Sequence, residues 1–244
     1  MKHWLCVVPL LVACGPDRFE QPEPEPEPAV FVDLRTAPGD ASCGDPLMVR
    51  IALGNGTFCI DRFEAFVDGS ILGNPSQGSD DTDTSVDGST QTVAGVEVQV
   101  TPRATVTWYQ ASSSCQNAGK RLCTVGEWER ACRGSELSVY PYGDEVDDDA
   151  CNGFFNGNGA GALLTGSLPS CGNDFGAYDM SGNLTEWTAT AVERTPGSGV
   201  LNDRAVRGGS FRANFSALRC LGEEFHEAPA TANDEIGFRC CSDN

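Results

Sequence analysis

The sequence predicts an exported α+β domain with little regular secondary structure, held together by disulfides. Three observations favour this fold class. Gly and Pro are frequent, with 28 and 14 residues in a chain of 244, which indicates loops rather than long helices. Two short segments carry complete helix boundaries. The chain also contains twelve cysteines, and its N terminus reads as an export leader.

The two predicted helices are defined by their end residues. Thr107 can cap a helix over residues 108–118, and Gly119 can adopt the left-handed conformation that ends it. Residues 124–127, with the sequence TVGE, form a capping box for a second helix that continues to Arg133. Glu127 is expected on the solvent side of that helix. Its spacing predicts one buried face, formed by Val125, Trp128, Ala131 and Cys132.

Residues 1–13 read as an export signal. Lys2 is followed by an apolar run of about ten residues, which is too short for the roughly 20 residues that span a bilayer as a helix. The run ends in LVAC at 11–14, which resembles the bacterial lipoprotein cleavage box, so Cys14 is expected to carry the lipid. An ordinary secretory leader with an incidental cysteine is the alternative.

The remaining chain divides into a spacer and a domain. Residues 14–42 contain QPEPEPEP at 21–28, where Pro removes hydrogen-bond donors and the Glu side chains repel one another. We therefore expect an extended spacer, followed by a single domain over 43–244. The spacer would hold that domain away from a cell-envelope membrane.

The charge and the histidine count exclude several classes of function. The net charge of −19 repels a phosphate backbone, so nucleic acid is not an expected partner. Of the two histidines, His3 falls in the leader and His226 is expected at the surface, in a loop. A catalytic histidine dyad or a metal site with several imidazoles is therefore excluded.

Ten cysteines remain once Cys6 in the leader and Cys14 are set aside. They are Cys43, Cys59, Cys115, Cys123, Cys132, Cys151, Cys171, Cys220, Cys240 and Cys241. None of them forms the closely spaced pairs typical of zinc sites, so an exported domain with five disulfides is predicted. The sequence alone does not fix how they pair.

Seven short motifs follow one another along the domain. They are CIDRFE at 59–64, VTWYQAS at 106–112, AGKRLCTVGEWERACRG at 118–134, YPYGD at 140–144, DMSGNLTEW at 179–187, RGGSF at 207–211 and GFRC at 237–240. In this order they resemble the formylglycine-generating enzyme, or sulfatase-modifying factor, superfamily. The resemblance covers about residues 57–241. It implies a C-type-lectin-like α+β fold with two helices packed on small antiparallel sheets.

The resemblance also implies two of the disulfides, Cys115 with Cys240 and Cys132 with Cys220. For the other six cysteines, proximity along the chain favours Cys43 with Cys59 and Cys151 with Cys171. Cys123 and Cys241 are both departures from the family pattern next to the Cys115–Cys240 pair, and a bridge between them fits these two departures. Other connectivities remain open, including one in which one of these pairs is free and reactive.

The chemistry implied by the resemblance lacks its ligands in this sequence. The enzymes oxidise a cysteine of a client sulfatase with oxygen and a copper ion, which a pair of thiolates holds after the Gly-Gly-Ser motif. Here that segment, residues 211–219, is shorter and contains no cysteine. Phe215 falls near one missing thiol, and its benzyl group cannot bind a soft metal. Copper is therefore not expected, and the iron site of the related sulfoxide synthases lacks its histidines.

Calcium is the metal that the resemblance still allows. The implied ligands are the Asp179 side chain, the main-chain carbonyls of Gly182 and Leu184, and Glu186, all of them hard oxygen donors. Asn152 matches the first residue of a second family site. The glycine-rich stretch after it lacks the expected Asp, so this second site is the weaker expectation.

The leading hypothesis is a lipid-anchored, noncatalytic member of this superfamily. Its domain would bind a protein or glycan partner at the cell envelope, facing the periplasm or on the cell surface. The alternative is a divergent oxidase that acts on cysteine in exported sulfatases, with unrecognised metal ligands. A third reading is an inert structural lipoprotein.

Overall fold

The computed structural model describes residues 40–66, 100–156, 160–197, 199–222 and 225–243. The predicted export signal, Cys14 and most of the predicted spacer lie outside these residues, so those expectations stay predictions. In the described part, no helix is both long enough and apolar enough to cross a bilayer.

Within the described residues, two α-helices and eight short strands make up the regular structure. The helices are α1 (Trp108–Asn117) and α2 (Val125–Cys132), and one turn of 3-10 helix at Ala41–Cys43 precedes the first strand. The strands are β1 (Met48–Leu53), β2 (Gly56–Asp61), β3 (Arg121–Leu122), β4 (Thr185–Val192), β5 (Asp203–Arg207), β6 (His226–Glu227), β7 (Ile236–Phe238) and β8 (Cys240–Asp243). The predicted α+β class with little regular structure is confirmed.

Both helices begin at the predicted capping residues. The Thr107 side chain accepts a hydrogen bond from the Gln110 backbone, and the Gln110 side chain accepts one from the Thr107 backbone. Thr124 and Glu127 form the same reciprocal pair at the start of α2. A glycine with positive φ follows each helix within two residues, as a left-handed stop requires.

Glu127 lies on the inside of α2, which corrects the prediction that it faces solvent. Its side chain accepts two hydrogen bonds from the Arg121 guanidinium, at 2.8 and 2.6 Å, and Arg121 also pairs with Asp243. Burial raises the pKa of Glu127, but hydrogen bonds from Arg121 and Thr124 outweigh it and hold the pKa below its usual range. Residue spacing along one helix could not reveal a partner on a neighbouring strand.

The strands form two four-stranded sheets. The first has the antiparallel order β1-β2-β8-β3. The second has the order β6-β5-β4-β7, in which β7 runs parallel to β4 and the other pairs are antiparallel. Because β7 and β8 are consecutive in the chain but belong to different sheets, Arg239 between them lies at the junction of the two sheets.

Five disulfides link the described residues. They join Cys43 to Cys59, Cys115 to Cys240, Cys123 to Cys241, Cys132 to Cys220, and Cys151 to Cys171. These pairs coincide with those expected from the resemblance and from proximity along the chain. The bridges from α1 and α2, at Cys115 and Cys132, tie both helices to the C-terminal part of the domain.

Two apolar clusters form most of the core. One surrounds Trp128 of α2 and includes side chains of β1 and β2 such as Ile51 and Ile60. The other surrounds Trp187 of β4 and packs against α1. Four apolar side chains downstream of the helices are also at most 3% exposed: Trp187, Val206, Phe211 and Phe238.

Candidate functional site

A cleft of about 270 Å³ opens beside the segment that follows the Gly-Gly-Ser motif. It is lined by Thr185, Val206, Gly209, Ser210, Arg212, Ala213, Ala217, Phe225, Glu227, Asn233, Glu235 and Ile236. Thr185, Val206, Glu227 and Ile236 come from strands of the second sheet, and the other lining residues come from loops. A concave apolar site with a few convergent polar groups is typical of a ligand-binding site.

Gly209 lets the chain turn sharply at the edge of this cleft. Its φ is +65°, and a Cβ at this position would lie 2.8 Å from the Ala213 Cβ and 3.0 Å from the Ala217 carbonyl oxygen. Only glycine meets both conditions without strain. The glycine therefore lets residues 211–219 fold back tightly against Gly209 itself.

Ion pairs hold the rim of the cleft. The Arg212 guanidinium donates to both carboxylate oxygens of Asp234, at 3.0 and 2.9 Å, and lies 3.0 Å from a Glu235 oxygen. Hydrogen bonds from Arg212 hold the pKa of Asp234 below its usual range. The Ser210 hydroxyl donates to the other Glu235 oxygen. Arg212 is thus already neutralised by the protein's own carboxylates.

No thiol lines the cleft. All ten cysteines of the described residues form disulfides, and Phe215, near an expected thiol position, stacks on Phe155 with ring centroids 4.5 Å apart. The side chains that reach the cleft therefore supply hydroxyl, carboxylate, amide and guanidinium groups. These groups can bind a ligand through hydrogen bonds and charge.

The DMSGNLTEW motif, residues 179–187, contributes to a second cluster of polar side chains, which is buried. Arg239 is 0% exposed and Glu186 is 1% exposed. The Glu186 carboxylate accepts from Arg239 Nε at 2.9 and 2.7 Å, from Arg239 Nη2 at 2.7 Å, and from Trp128 Nε1 at 2.7 Å. Four hydrogen bonds occupy the roughly four lone-pair positions that a carboxylate offers.

Two further buried carboxyls accompany Glu186. Burial raises the pKa of Asp179 to about 6, despite a hydrogen bond from the Gly166 backbone at 2.6 Å. Burial and the charges of Asp179 and Glu186 raise the pKa of Glu64 well above its usual range. Glu64 accepts hydrogen bonds from Leu184 N and Asn183 Nδ2. The charge of Arg239 acts on all three carboxyls, while burial favours the protonated forms of Glu64 and Asp179.

The expected calcium ligands differ in how far their oxygens are already engaged by the protein. Asp179 and Gly182 lie in a strained turn, with φ values of +59° and +75°, and a Cβ on Gly182 would meet the Asn152 carbonyl oxygen at 2.2 Å. Glu186, the expected fourth ligand, is fully engaged by Arg239 and Trp128. No cluster of three or more Asp, Glu, His or Cys side chains suited to a metal occurs among the described residues.

Asn152 offers a buried side-chain oxygen as a further candidate ligand. Its Nδ2 donates to Asn183 Oδ1 at 2.8 Å and to the Gly161 carbonyl at 3.1 Å. Its Oδ1 is buried and accepts no hydrogen bond within the described part of the chain. A buried oxygen without a partner is costly unless water or an ion satisfies it. Asp179, the carbonyls of Gly182 and Leu184, and Asn152 therefore fit a hard cation chemically, whereas Glu186 does not.

His226 lies in β6, not in a loop as expected from the sequence. Its Nδ1 is 2.9 Å from Asp203 Oδ2, and Asp203 also accepts hydrogen bonds from Arg194. Because the neighbouring strand supplies its partner, His226 supports the edge of the second sheet. Local sequence around His226 carries no signal for that pairing.

These features define a class of protein: a C-type-lectin-like domain of the formylglycine-generating enzyme type. Residues 53–244 match the profile of the sulfatase-modifying factor enzyme 1-like domain, and the chain belongs to that family. The resemblance stated from the seven motifs is thereby confirmed.

Similar proteins include both enzymes and a relative named as inactive. The serine/threonine-protein kinase Pkn1 of Chlamydia trachomatis is 36% identical over 58% of this chain and 24% of its own length. The inactive C-alpha-formylglycine-generating enzyme 2 of Bos taurus is 33% identical over 58% of this chain and 50% of its own length. The formylglycine-generating enzyme of Mus musculus is 31% identical over 57% of this chain and 43% of its own length. The matches thus span half or less of these relatives.

Solved structures confirm the fold. Treponema denticola variable protein 1 has a TM-score of 0.59 at 18% identity, covering 77% of this chain and 85% of that protein. PvdO from Pseudomonas aeruginosa has a TM-score of 0.54 at 19% identity, covering 77% and 81%. At these identities the similarity defines the fold alone.

The buried carboxyls predict a particular pH dependence of stability. Because Asp179 keeps its proton to a pKa of about 6 when folded, against 3.8 as its ordinary value, the folded state binds more protons in this window. The stabilisation that the protonated Asp179 carboxyl contributes is complete below pH 3.8 and is lost as the pH rises through about 6. In the presence of a chelator, the free energy of unfolding of Asp179→Asn should therefore increase relative to that of the parent by roughly 3 kcal/mol as the pH rises from 4 to 7.

Urea unfolding at several pH values measures this difference. Asp234→Asn is the matched control, because the pKa of Asp234 is lowered and its stabilisation disappears as the pH falls. The difference in unfolding free energy between Asp234→Asn and the parent should change with pH in the opposite direction. The change should be weak, because Asp234 is exposed. Parallel pH profiles for Asp179→Asn and the parent would contradict the assignment.

Proposed function

We propose that this chain is a noncatalytic, lipid-anchored member of its family, whose domain acts as a binding module at the cell envelope. The observation that carries the proposal is the absence of any available thiol among the described residues, because their ten cysteines all form disulfides. The cleft is retained, and its polar rim suits binding. The partner would be a protein or a glycan.

Copper chemistry has no ligands at the expected place. Cu(I) selects thiolate and thioether ligands, and residues 211–219 contain neither Cys nor Met. The similarity to a relative named as inactive supports a noncatalytic role. The similarity to formylglycine-generating enzymes keeps the divergent oxidase as the competing function.

The proposed location follows from the N terminus. Residues 1–13 would direct export, Cys14 would carry the lipid, and residues 14–42 would separate the domain from the membrane. The domain would face the periplasm or lie on the cell surface. The net charge of −19 favours a spacer, because anionic lipid headgroups repel an acidic surface.

We also propose a structural calcium ion held by the Asp179 carboxylate and the carbonyls of Gly182 and Leu184, with Asn152 as a weaker contributor. The surplus of buried carboxyls and the unsatisfied Asn152 Oδ1 support it. Glu186 would help only through its charge, since its oxygens are bonded to Arg239 and Trp128.

Thermal unfolding with calcium and with a chelator should distinguish the role of Asp179 from that of Glu186. Calcium should raise the melting temperature of the parent by mass action, and Asp179→Ala should abolish that rise. Glu186→Gln should instead destabilise by roughly 3 to 5 kcal/mol both with calcium and in chelator, because it breaks a buried ion pair. Thermal unfolding in millimolar calcium or EGTA measures both. A parent that melts alike in the two buffers would exclude the ion.

The noncatalytic role predicts the outcome of a direct assay. The purified protein is loaded with Cu(I) and incubated in air with a peptide that carries a sulfatase cysteine motif. We expect no stoichiometric copper binding and no aldehyde product by mass spectrometry. The formylglycine-generating enzyme of Thermomonospora curvata, 31% identical over 58% of this chain, serves as the positive control. Conversion by this protein would establish the oxidase instead.

A further inference from the structure

Three phenylalanines form an exposed aromatic platform next to the cleft. Phe154 is 53% exposed and Phe155 is 50% exposed, while Phe215 is half-buried. The Phe155 and Phe215 rings stack with an interplanar angle of 8°, and Phe154 meets Phe155 edge-on at 5.3 Å. Contiguous apolar surface of this kind marks an interaction site when the rest of a surface is polar.

The platform is held in place by the surrounding fold. Phe154 N donates to the Ala213 carbonyl at 3.1 Å, and the Tyr140 hydroxyl donates to the Phe215 carbonyl at 3.4 Å. The Cys151–Cys171 disulfide anchors the chain three residues before Phe154. Rings that are already ordered lose little conformational entropy on binding, which favours their use as a recognition surface.

An acidic groove adjoins the platform. Its lining includes Tyr142, Asp144, Glu145, Asp147 and Asp148, and all four acids are exposed. Tyr142 stacks on Tyr140 at 5.2 Å, and Tyr140 contacts Phe215 through its hydroxyl.

The turn that carries the platform is also tied to the acidic run. The Asn156 side chain donates to the Asp149 carbonyl at 2.7 Å. These contacts connect the chain segments that carry the groove and the platform.

Two of these acids are available to a partner. Asp144 accepts from Val139 N and Asp147 from Asp149 N, whereas Glu145 and Asp148 accept no hydrogen bond within the described residues. Arg133, at the base of the segment, is engaged by the carbonyls of Leu137 and Ser138. The groove thus presents unneutralised negative charge beside apolar rings.

We propose that this surface binds a basic amphipathic peptide segment of a partner protein. Apolar side chains of the segment would lie on the aromatic platform, and its Lys or Arg side chains would lie in the acidic groove. Charge complementarity favours this occupant over an anionic lipid surface and over a neutral glycan. The inference deepens the proposed binding function, yet it concerns a surface outside the cleft and does not depend on how the copper assay ends.

Binding of defined peptides to the full chain tests the proposal. The probe is a fluorescent 15-residue peptide of alternating Leu and Lys, compared with versions in which Glu replaces Lys or Ser replaces Leu. Fluorescence anisotropy should report saturable binding of the Leu/Lys peptide alone, weakened by salt. Phe154→Ser/Phe155→Ser should weaken it roughly tenfold, as expected for aromatic contact residues. Glu145→Gln/Asp148→Asn should weaken it and reduce its salt dependence.

Control variants separate this surface from other sites. Leu201→Ser removes an equally exposed apolar side chain from the loop between β4 and β5 and should leave binding unchanged. Glu227→Gln removes a carboxylate of the cleft and should also have no effect. The variants at Phe154, Phe155, Glu145, Asp148 and Leu201 should melt like the parent, because these side chains are exposed.

Three outcomes would overturn the proposal. They are equal binding of the Ser/Lys peptide, a loss confined to Glu227→Gln, and binding of a neutral oligosaccharide, but not the peptide, to the platform.

Discussion

The fully buried ion pair between Arg239 and Glu186 is the interaction on which this structure depends. Arg239 lies between β7 and β8, where the chain passes from one sheet to the other, and its guanidinium also donates to the carbonyls of Asp61, Arg62 and Tyr178. Glu186 lies on β4 and accepts from Trp128 of α2. The Arg239–Glu186 pair thus connects both sheets and helix α2. Losing either partner would leave an uncompensated charge in the core, which is far more costly than losing a surface pair.

The same pair explains why the site could be predicted only in part. Helix ends were predictable because capping depends on residues within three positions, as at Thr107 and Thr124. The partner of Glu186 is 53 residues away in sequence, and local spacing does not encode it. Glu186 therefore resembled a calcium ligand in its motif, although the fold commits its oxygens to Arg239. Phe155 and Phe215 likewise meet only in the folded domain.

The family resemblance predicted long-range features of the fold that the spacing of apolar residues along the chain could not predict. It implied two of the long-range disulfides and the C-type-lectin-like α+β fold, which depend on contacts between distant parts of the chain. The residues themselves supplied what distinguishes this chain from the enzymes: the segment after the Gly-Gly-Ser motif has no thiol. In the structure, that segment packs its Ala side chains on the cleft and its Phe215 on an aromatic platform. We propose that a region used for copper in the enzymes serves recognition here.

The proposed noncatalytic role requires every cysteine of the domain to be bridged. The most direct measurement is a mass-spectrometric count of alkylated thiols after denaturation of the purified protein without reductant. We expect no alkylation from Cys43 to Cys241 and five linked peptide pairs after proteolysis. Stoichiometric alkylation of two of these cysteines, together with one missing bridge, would show that a thiol pair is available and would rule the proposal out.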